Sequence, residues 1–169
     1  QPSRKTFFDK DETWLKTEYY EAGKLVRTKE FDAEQNITLF KRFSPDNGRL
    51  QSAGFLVCGH EVPMSETKKL LRSNQRGAVS EIHDMSGNLV YVGECLGLLP
   101  HGNGRLFHEN SFLEFEGEFR QGKRHGQGRS YYRASTPGGQ TMPRLLYEGY
   151  FENDMYSGGG TLYDQERAD

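Results

Sequence analysis

Two histidines, His101 and His125, are the side chains best suited to acid–base chemistry, because an imidazole titrates near neutral pH. Each begins a four-residue string, HGNG and HGQG, at the same position of a repeated sequence. A catalytic residue has no reason to recur in every repeat, whereas a structural residue does. We therefore expect each histidine to make a hydrogen bond that closes a hairpin turn, beside a glycine with a positive φ angle. His60 and Glu61 form the next polar pair, and we interpret them as loop residues.

The remaining candidates for chemistry are thiols and glycine-rich strings. Two cysteines, Cys58 and Cys95, are too few for a disulfide framework or a zinc site. Alternation along its strand places Cys95 on an apolar face, where a buried thiol is a poor nucleophile. The string GKRHGQG lacks the GK[ST] ending of a phosphate-binding loop. The sequence thus predicts no catalytic residue, no metal site and no cofactor, and hence a non-enzymatic protein.

One hairpin carries a cluster of positive charge that could bind an anionic partner, either an acidic protein surface or a lipid headgroup. We define this basic cluster as Arg120, Lys123, Arg124 and Arg129. The alternative is a solvated hairpin whose charge is balanced by Glu114, Glu116 and Glu118, one strand earlier. The 22 Lys and Arg against 24 Asp and Glu give a net charge of −2. This balance favours the solvated hairpin and argues against nucleic-acid binding.

Composition limits the kind of core that the chain can form and the class of protein to which it can belong. Hydrophobic residues make up 34% of the 169 residues and aromatic residues 12%, so the core must rely on Tyr and Phe. Apolar runs fall well short of the ~18 residues that a membrane helix needs. We expect a soluble, cytoplasmic protein, with peripheral attachment to a membrane as the alternative.

A repeated pattern of strand and turn signals organises the chain. Three segments share a Leu, an aromatic residue two positions after it, a Gly four positions after it and Phe or Cys six positions after it. They are Leu89, Tyr91, Gly93, Cys95; Leu113, Phe115, Gly117, Phe119; and Leu145, Tyr147, Gly149, Phe151. Residues two apart share one face of a strand, so this alternation predicts β-hairpins with one buried and one solvated face. We expect Gly93, Gly117 and Gly149 to be structural, each covered by an aromatic ring of the neighbouring unit.

Looser copies of the repeat begin at Gly23 and Gly48, and they predict two parts of the chain. Residues 1–88 would hold degenerate hairpin repeats with an insertion near 58–76, which contains the predicted helix Ser65–Ser73. Residues 89–169 would hold the three clearer repeats, with a mobile loop near 134–143. The sequence therefore predicts an all-β fold of consecutive hairpins in one curved antiparallel sheet.

The string FEGEFRQGKRHGQG from Phe115 resembles the MORN repeat (membrane occupation and recognition nexus). The upstream units are similar to the more degenerate MORN-like hairpins of bacterial antitoxin-type proteins. The resemblance implies an elongated, single-layer, twisted antiparallel sheet that serves as a scaffold.

From the aromatic pattern together with this resemblance, we expect a protein partner to bind along the aromatic and glycine face. The expected contacts are Tyr91, Phe115, Phe119, Tyr147 and Phe151. The alternatives are binding of anionic lipid or phosphoinositide through the basic cluster, and an accessory region of a larger enzyme. Assembly into a homo-oligomer is left open.

Overall fold

The computed structural model describes residues 1–73, 78–108 and 111–163, which form thirteen β-strands and one helix. The chain divides into two compact units, residues 1–68 and 69–169. The strands of the first unit are β1 (Ser3–Phe8), β2 (Trp14–Glu21), β3 (Lys24–Asp32), β4 (Ile37–Phe43), β5 (Leu50–Val57) and β6 (His60–Pro63). The strands of the second unit are β7 (Val79–His83), β8 (Leu89–Leu96), β9 (Leu99–His108), β10 (Phe112–Arg120), β11 (Lys123–Ser135), β12 (Thr141–Glu152) and β13 (Met155–Leu162). The helix α1 (Ser65–Ser73) lies between the two sets of strands in the sequence.

The first unit is a six-stranded antiparallel sheet in which each strand pairs with the next one along the chain. Its buried residues include Phe40, Phe55, Val57 and Val62, each at most 1% exposed. Gly54 lies against the ring of Phe40, which a Cβ at Gly54 would approach to 2.7 Å. The close approach of the ring explains why this strand carries a glycine.

A tight turn joins β5 to β6. Cys58 and Gly59 both have positive φ angles, 48° and 85°, and they reverse the chain within two residues. His60 and Glu61 therefore lie in β6, and the prediction of a loop at this pair is wrong. The carboxylate of Glu61 accepts hydrogen bonds from one arginine of β3 and one of β4, which ties β6 to the middle of the sheet.

The structure contains the predicted helix over Ser65–Ser73. In this helix Leu70 is buried, at 1% exposure, whereas Leu71 is 57% exposed. Residues 74–76 of the predicted insertion lie outside the described residues.

The second unit is a seven-stranded antiparallel sheet, again with strands in chain order. Strands β11 and β12 pair as far as Ser135 and Thr141. The connecting turn therefore covers only residues 136–140 of the predicted loop near 134–143.

The prediction of an all-β fold of hairpins is confirmed. The described strands form two sheets rather than the one curved sheet that the sequence predicts, because α1 separates β6 from β7. The division of the repeats into residues 1–88 and 89–169 stays a prediction. Residues 164–169 at its end lie outside the described part of the chain.

Candidate functional site

Six glycines lie side by side across the sheet of the second unit, one on each strand from β8 to β13. Each is the register partner of the next, in the order Gly93, Gly104, Gly117, Gly128, Gly149 and Gly160. We call this set the glycine row. The row forms because every repeat supplies two glycines at fixed positions. One lies two positions after the aromatic residue, and the other is the last residue of the HGxG-like string. A line of residues without side chains thus crosses six strands.

Aromatic rings cover one side of the glycine row. A Cβ atom on Gly149 would lie 2.5 Å from the hydroxyl oxygen of Tyr147, and one on Gly104 would lie 2.5 Å from ring atoms of Tyr91. Both separations are far below van der Waals contact, so the rings require glycine at these positions. The prediction that a neighbouring unit supplies each ring is wrong. Tyr91 precedes Gly93 by two residues on the same strand and also covers the glycine of the next strand.

The five rings that the sequence predicts as partner contacts form one continuous edge-to-face stack. Phe119 packs between Tyr91 and Phe115, with ring centroids 5.1 Å apart on each side. Phe151 packs between Phe115, at 4.9 Å, and Tyr147, at 5.2 Å. All five side chains are at most 6% exposed, so they form a core that supports the glycine row from one side. Direct contact between these rings and a partner stays a prediction.

The other side of the glycine row is an open groove of about 640 Å³, which we call the glycine groove. Its floor is the backbone of the five glycines on β8 to β12. A line of charged side chains with alternating sign borders it, namely Arg105, Glu116, Arg129 and Glu148. Successive charged atoms along this line are 3.5, 3.9 and 2.7 Å apart. The amides of Asn103 and Gln127 and the side chains of Val79 and Val92 complete the lining.

The charges along the glycine groove neutralise one another. Arg129 donates a hydrogen bond from Nε to Glu148 at 2.8 Å, and this bond raises the pKa of the Arg129 guanidinium. The hydroxyl of Tyr131 donates to Glu116 at 2.6 Å. Burial, together with this bond, raises the pKa of Tyr131 to about 12. Sequence reasoning missed the groove, although each member of the charged line directly precedes or follows a glycine of the row.

The two HGxG histidines lie where one hairpin meets the next. The backbone N–H of Gln121, in the following turn, donates to Nδ1 of His101 at 3.4 Å. Beside each histidine is a glycine with positive φ, 83° at Gly102 and 59° at Gly126. The Nδ1 atom of His125 is buried and has no hydrogen-bond partner among the described residues. The bond to His101 therefore links two hairpins, instead of closing its own turn.

Two residues of the basic cluster belong to ion pairs. Arg124 lies 3.3 Å from Asp154 and 3.8 Å from Glu114, and its guanidinium stands over two rings of the aromatic stack. Arg129 belongs to the charged line of the glycine groove, while Arg120 and Lys123 are exposed. The sequence anticipated the acidic partners on β10, but it did not anticipate Asp154 of the next repeat.

Cys58 and Cys95 are not joined in a disulfide bond. Cys95 is half-buried, and burial raises its pKa from 9.0 to about 11, partly opposed by a hydrogen bond with Ser80. The thiol is therefore protonated at neutral pH, where a nucleophile would need the thiolate. This agrees with the expectation that Cys95 is unreactive.

Within the described residues, every helix is too short or too polar to span a bilayer. No curated protein and no solved structure matches the chain. The family model of the MORN repeat matches residues 115–134 and 147–165, which include most of β10 and β11, the second half of β12 and all of β13. MORN repeats are a non-enzymatic type of repeat, and they generally act as scaffolds for interactions with proteins or membranes. The matched segments contain four of the six glycines of the row and four of the five stacked rings, and over these two segments the chain is similar to MORN repeats.

Proposed function

We propose that the chain is a non-enzymatic scaffold that binds an extended segment of a protein partner in the glycine groove. The observation that carries this proposal is the glycine row, with rings on one side and an open groove on the other. As predicted from the sequence, the glycines form the binding surface. The partner, however, contacts the side of the glycine row that faces away from the rings, because the rings are buried.

The groove has the dimensions of a short extended peptide. Neighbouring strands lie about 4.8 Å apart, so the five glycines of the floor span roughly 19 Å. Six residues of an extended chain cover about 20 Å at roughly 3.3 Å per residue. A floor without side chains lets another backbone approach closely, and Asn103 and Gln127 offer amides that can hydrogen-bond to it.

Charge favours a protein over an anionic surface. The two arginines and two glutamates along the groove cancel, and half of the basic cluster is already paired with acidic residues. A membrane or a polyphosphate attracts a surplus of unpaired positive charge. Arg120 and Lys123 alone provide little of it.

The test compares one substitution at two exposed positions. Gln127→Lys changes the glycine groove, and the matched control Gln140→Lys changes the β11–β12 turn. Capture from native lysate should retain a protein on the wild type and on Gln140→Lys, and lose it on Gln127→Lys. The captured protein should then yield a peptide that binds the purified chain with the same pattern. Equal retention by all three would contradict the proposal, and binding to anionic liposomes that Lys123→Glu abolishes would favour the membrane alternative.

A further inference from the structure

The middle MORN repeat departs from its neighbours at three positions that are apolar or aromatic elsewhere. Glu114 stands where the flanking repeats have Val90 and Leu146. Arg124 occupies the position of Pro100 and Tyr156, immediately before the HGxG-like string. Ser130 occupies the position of Leu106 and Leu162, two residues after that string.

All three exceptional residues line one cavity of about 510 Å³. Arg124 Nη1 lies 3.8 Å from the carboxylate of Glu114. Ser130 lies opposite both Phe115 and Tyr147 on the neighbouring strands and is only 4% exposed. The three departures from the repeat thus lie together, two of them as an ion pair, and a leucine at position 130 would partly fill the space beside them.

A polar residue lowers stability at a buried position that is apolar in the neighbouring repeats, unless it gains a hydrogen-bond partner. Among the residues that the structure describes, the hydroxyl of Ser130 lies within hydrogen-bond distance only of the hydroxyl of Tyr156, at a long 3.4 Å. Leu106, at the equivalent position of the preceding repeat, is 3% exposed and packs as a core residue. The middle repeat therefore has a small polar residue in place of a leucine, with less apolar packing, at the position where a cavity of ligand size opens.

The chemistry of the lining identifies the kind of ligand. Arg133 and Arg124, which also contacts Glu114 and Asp154, bring two guanidinium groups to a cavity whose lining includes one carboxylate, that of Glu114. A guanidinium has five N–H donors, so it can bind a carboxylate or phosphate group in addition to an existing acidic neighbour. Phe112, under the guanidinium of Arg133 at 5.3 Å, and the half-exposed ring of Tyr156 provide flat apolar walls. We propose that this cavity binds a small organic anion that carries a carboxylate or phosphate next to a planar apolar group. Within the described part of the chain, the residues that line this cavity and those that line the glycine groove are different, so the two sites are separate.

The test uses isothermal titration calorimetry of the full chain with benzoate and phenyl phosphate as probes. Acetate and inorganic phosphate supply the anion alone, and phenol supplies the ring alone. At least one aryl anion should bind tenfold or more tightly than its fragments, and the preferred probe then identifies the anionic group. Failure of both aryl anions to bind better than their fragments would overturn the proposal.

Ser130→Leu introduces the residue of the flanking repeats and partly fills the cavity. It should weaken binding of the preferred probe at least tenfold while the melting temperature stays equal or rises. Ser135→Leu, at an exposed position of the same strand, is the matched control and should bind as the wild type does. Unchanged affinity in Ser130→Leu would also overturn the proposal. Should that variant fold poorly, Arg133→Gln at an exposed position carries the same expectation of a tenfold loss.

Discussion

The hydroxyl of Tyr91 donates a hydrogen bond to the backbone carbonyl of Glu94, 2.7 Å away on the same strand. Tyr147 makes the equivalent bond to Tyr150 at 3.1 Å. The ring that covers the glycine row is thus fixed at its outer end in two repeats, while the middle repeat has Phe115, which lacks the hydroxyl. This difference leads to a prediction that can be tested in both directions.

Tyr91→Phe should lower the free energy of unfolding by about 1 kcal/mol, because the Glu94 carbonyl loses a partner. Phe115→Tyr should raise it by a similar amount, because the new hydroxyl can reach the carbonyl of Glu118, the equivalent residue. Chemical denaturation of the two variants and the wild type measures both effects. Tyr91→Phe with wild-type stability would show that the hydroxyl is not anchored in solution.

Glycine is required where a ring covers it and dispensable where nothing does. Gly128→Ala places a Cβ 2.5 Å from an atom of the Phe115 ring, so it should cost about 1–3 kcal/mol through overpacking. At Gly159 a Cβ would meet nothing within 4 Å, and Gly159→Ala should be neutral or slightly stabilising. Thermal melts of the two variants provide the comparison. Equal melting temperatures would mean that the rings do not rest on the glycine row.

The half-buried thiol of Cys95 should respond to pH in two ways. In a Cys58→Ser background, alkylation by iodoacetamide should be slow at pH 7 and accelerate as the pH approaches the pKa of about 11. A thiol whose pKa is raised by folding holds its proton more tightly in the native state. The free energy of unfolding should therefore fall between about pH 9 and pH 11. Fast alkylation of the native protein at pH 7 would contradict the burial of this side chain.

His101 should matter for stability and not for chemistry. His101→Ala removes the acceptor for the Gln121 N–H and should cost about 0.5–1.5 kcal/mol. Capture of the partner described above should persist at temperatures where the variant is folded. Loss of partner capture without a change in melting temperature would place His101 in the binding surface instead.

Periodicity within single strands made much of the fold predictable. Leu113, Phe115 and Phe119 alternate with glutamates, and this alternation predicts both the strand and its buried face. Ser3–Phe8 lacks this alternation, and all of its residues are exposed. Its strand forms through pairing with β2, which places Lys5 opposite Glu18. Local sequence therefore gave no signal for the first hairpin.

The candidate sites depend on which residues face each other across strands, and this register was harder to predict. Bulges shift the pairing of β10 with β9 between Leu113 and Phe115, and its pairing with β11 between Gly117 and Phe119. The alignment of Glu116 with Arg105 and Arg129 follows only once these shifts are known. Alignment of the repeats shows that Ser130 stands where the other repeats have leucine. It does not show that Ser130 is buried or that it lines a cavity.

The two ends of the hairpins in the second unit tolerate change differently. At one end the turns are tied to the preceding hairpin, since Gly122 N–H donates to the Pro100 carbonyl at 2.8 Å and Asp154 N–H donates to the Arg124 carbonyl at 3.0 Å. At the other end, β11 and β12 continue in paired register to Ser135 and Thr141, well beyond the glycine row. Residues can be added there in cross-strand pairs without displacing the row. The β11–β12 hairpin can therefore be lengthened at this end, in evolution or by inserting an epitope near Gly138, while the register of the repeats is preserved.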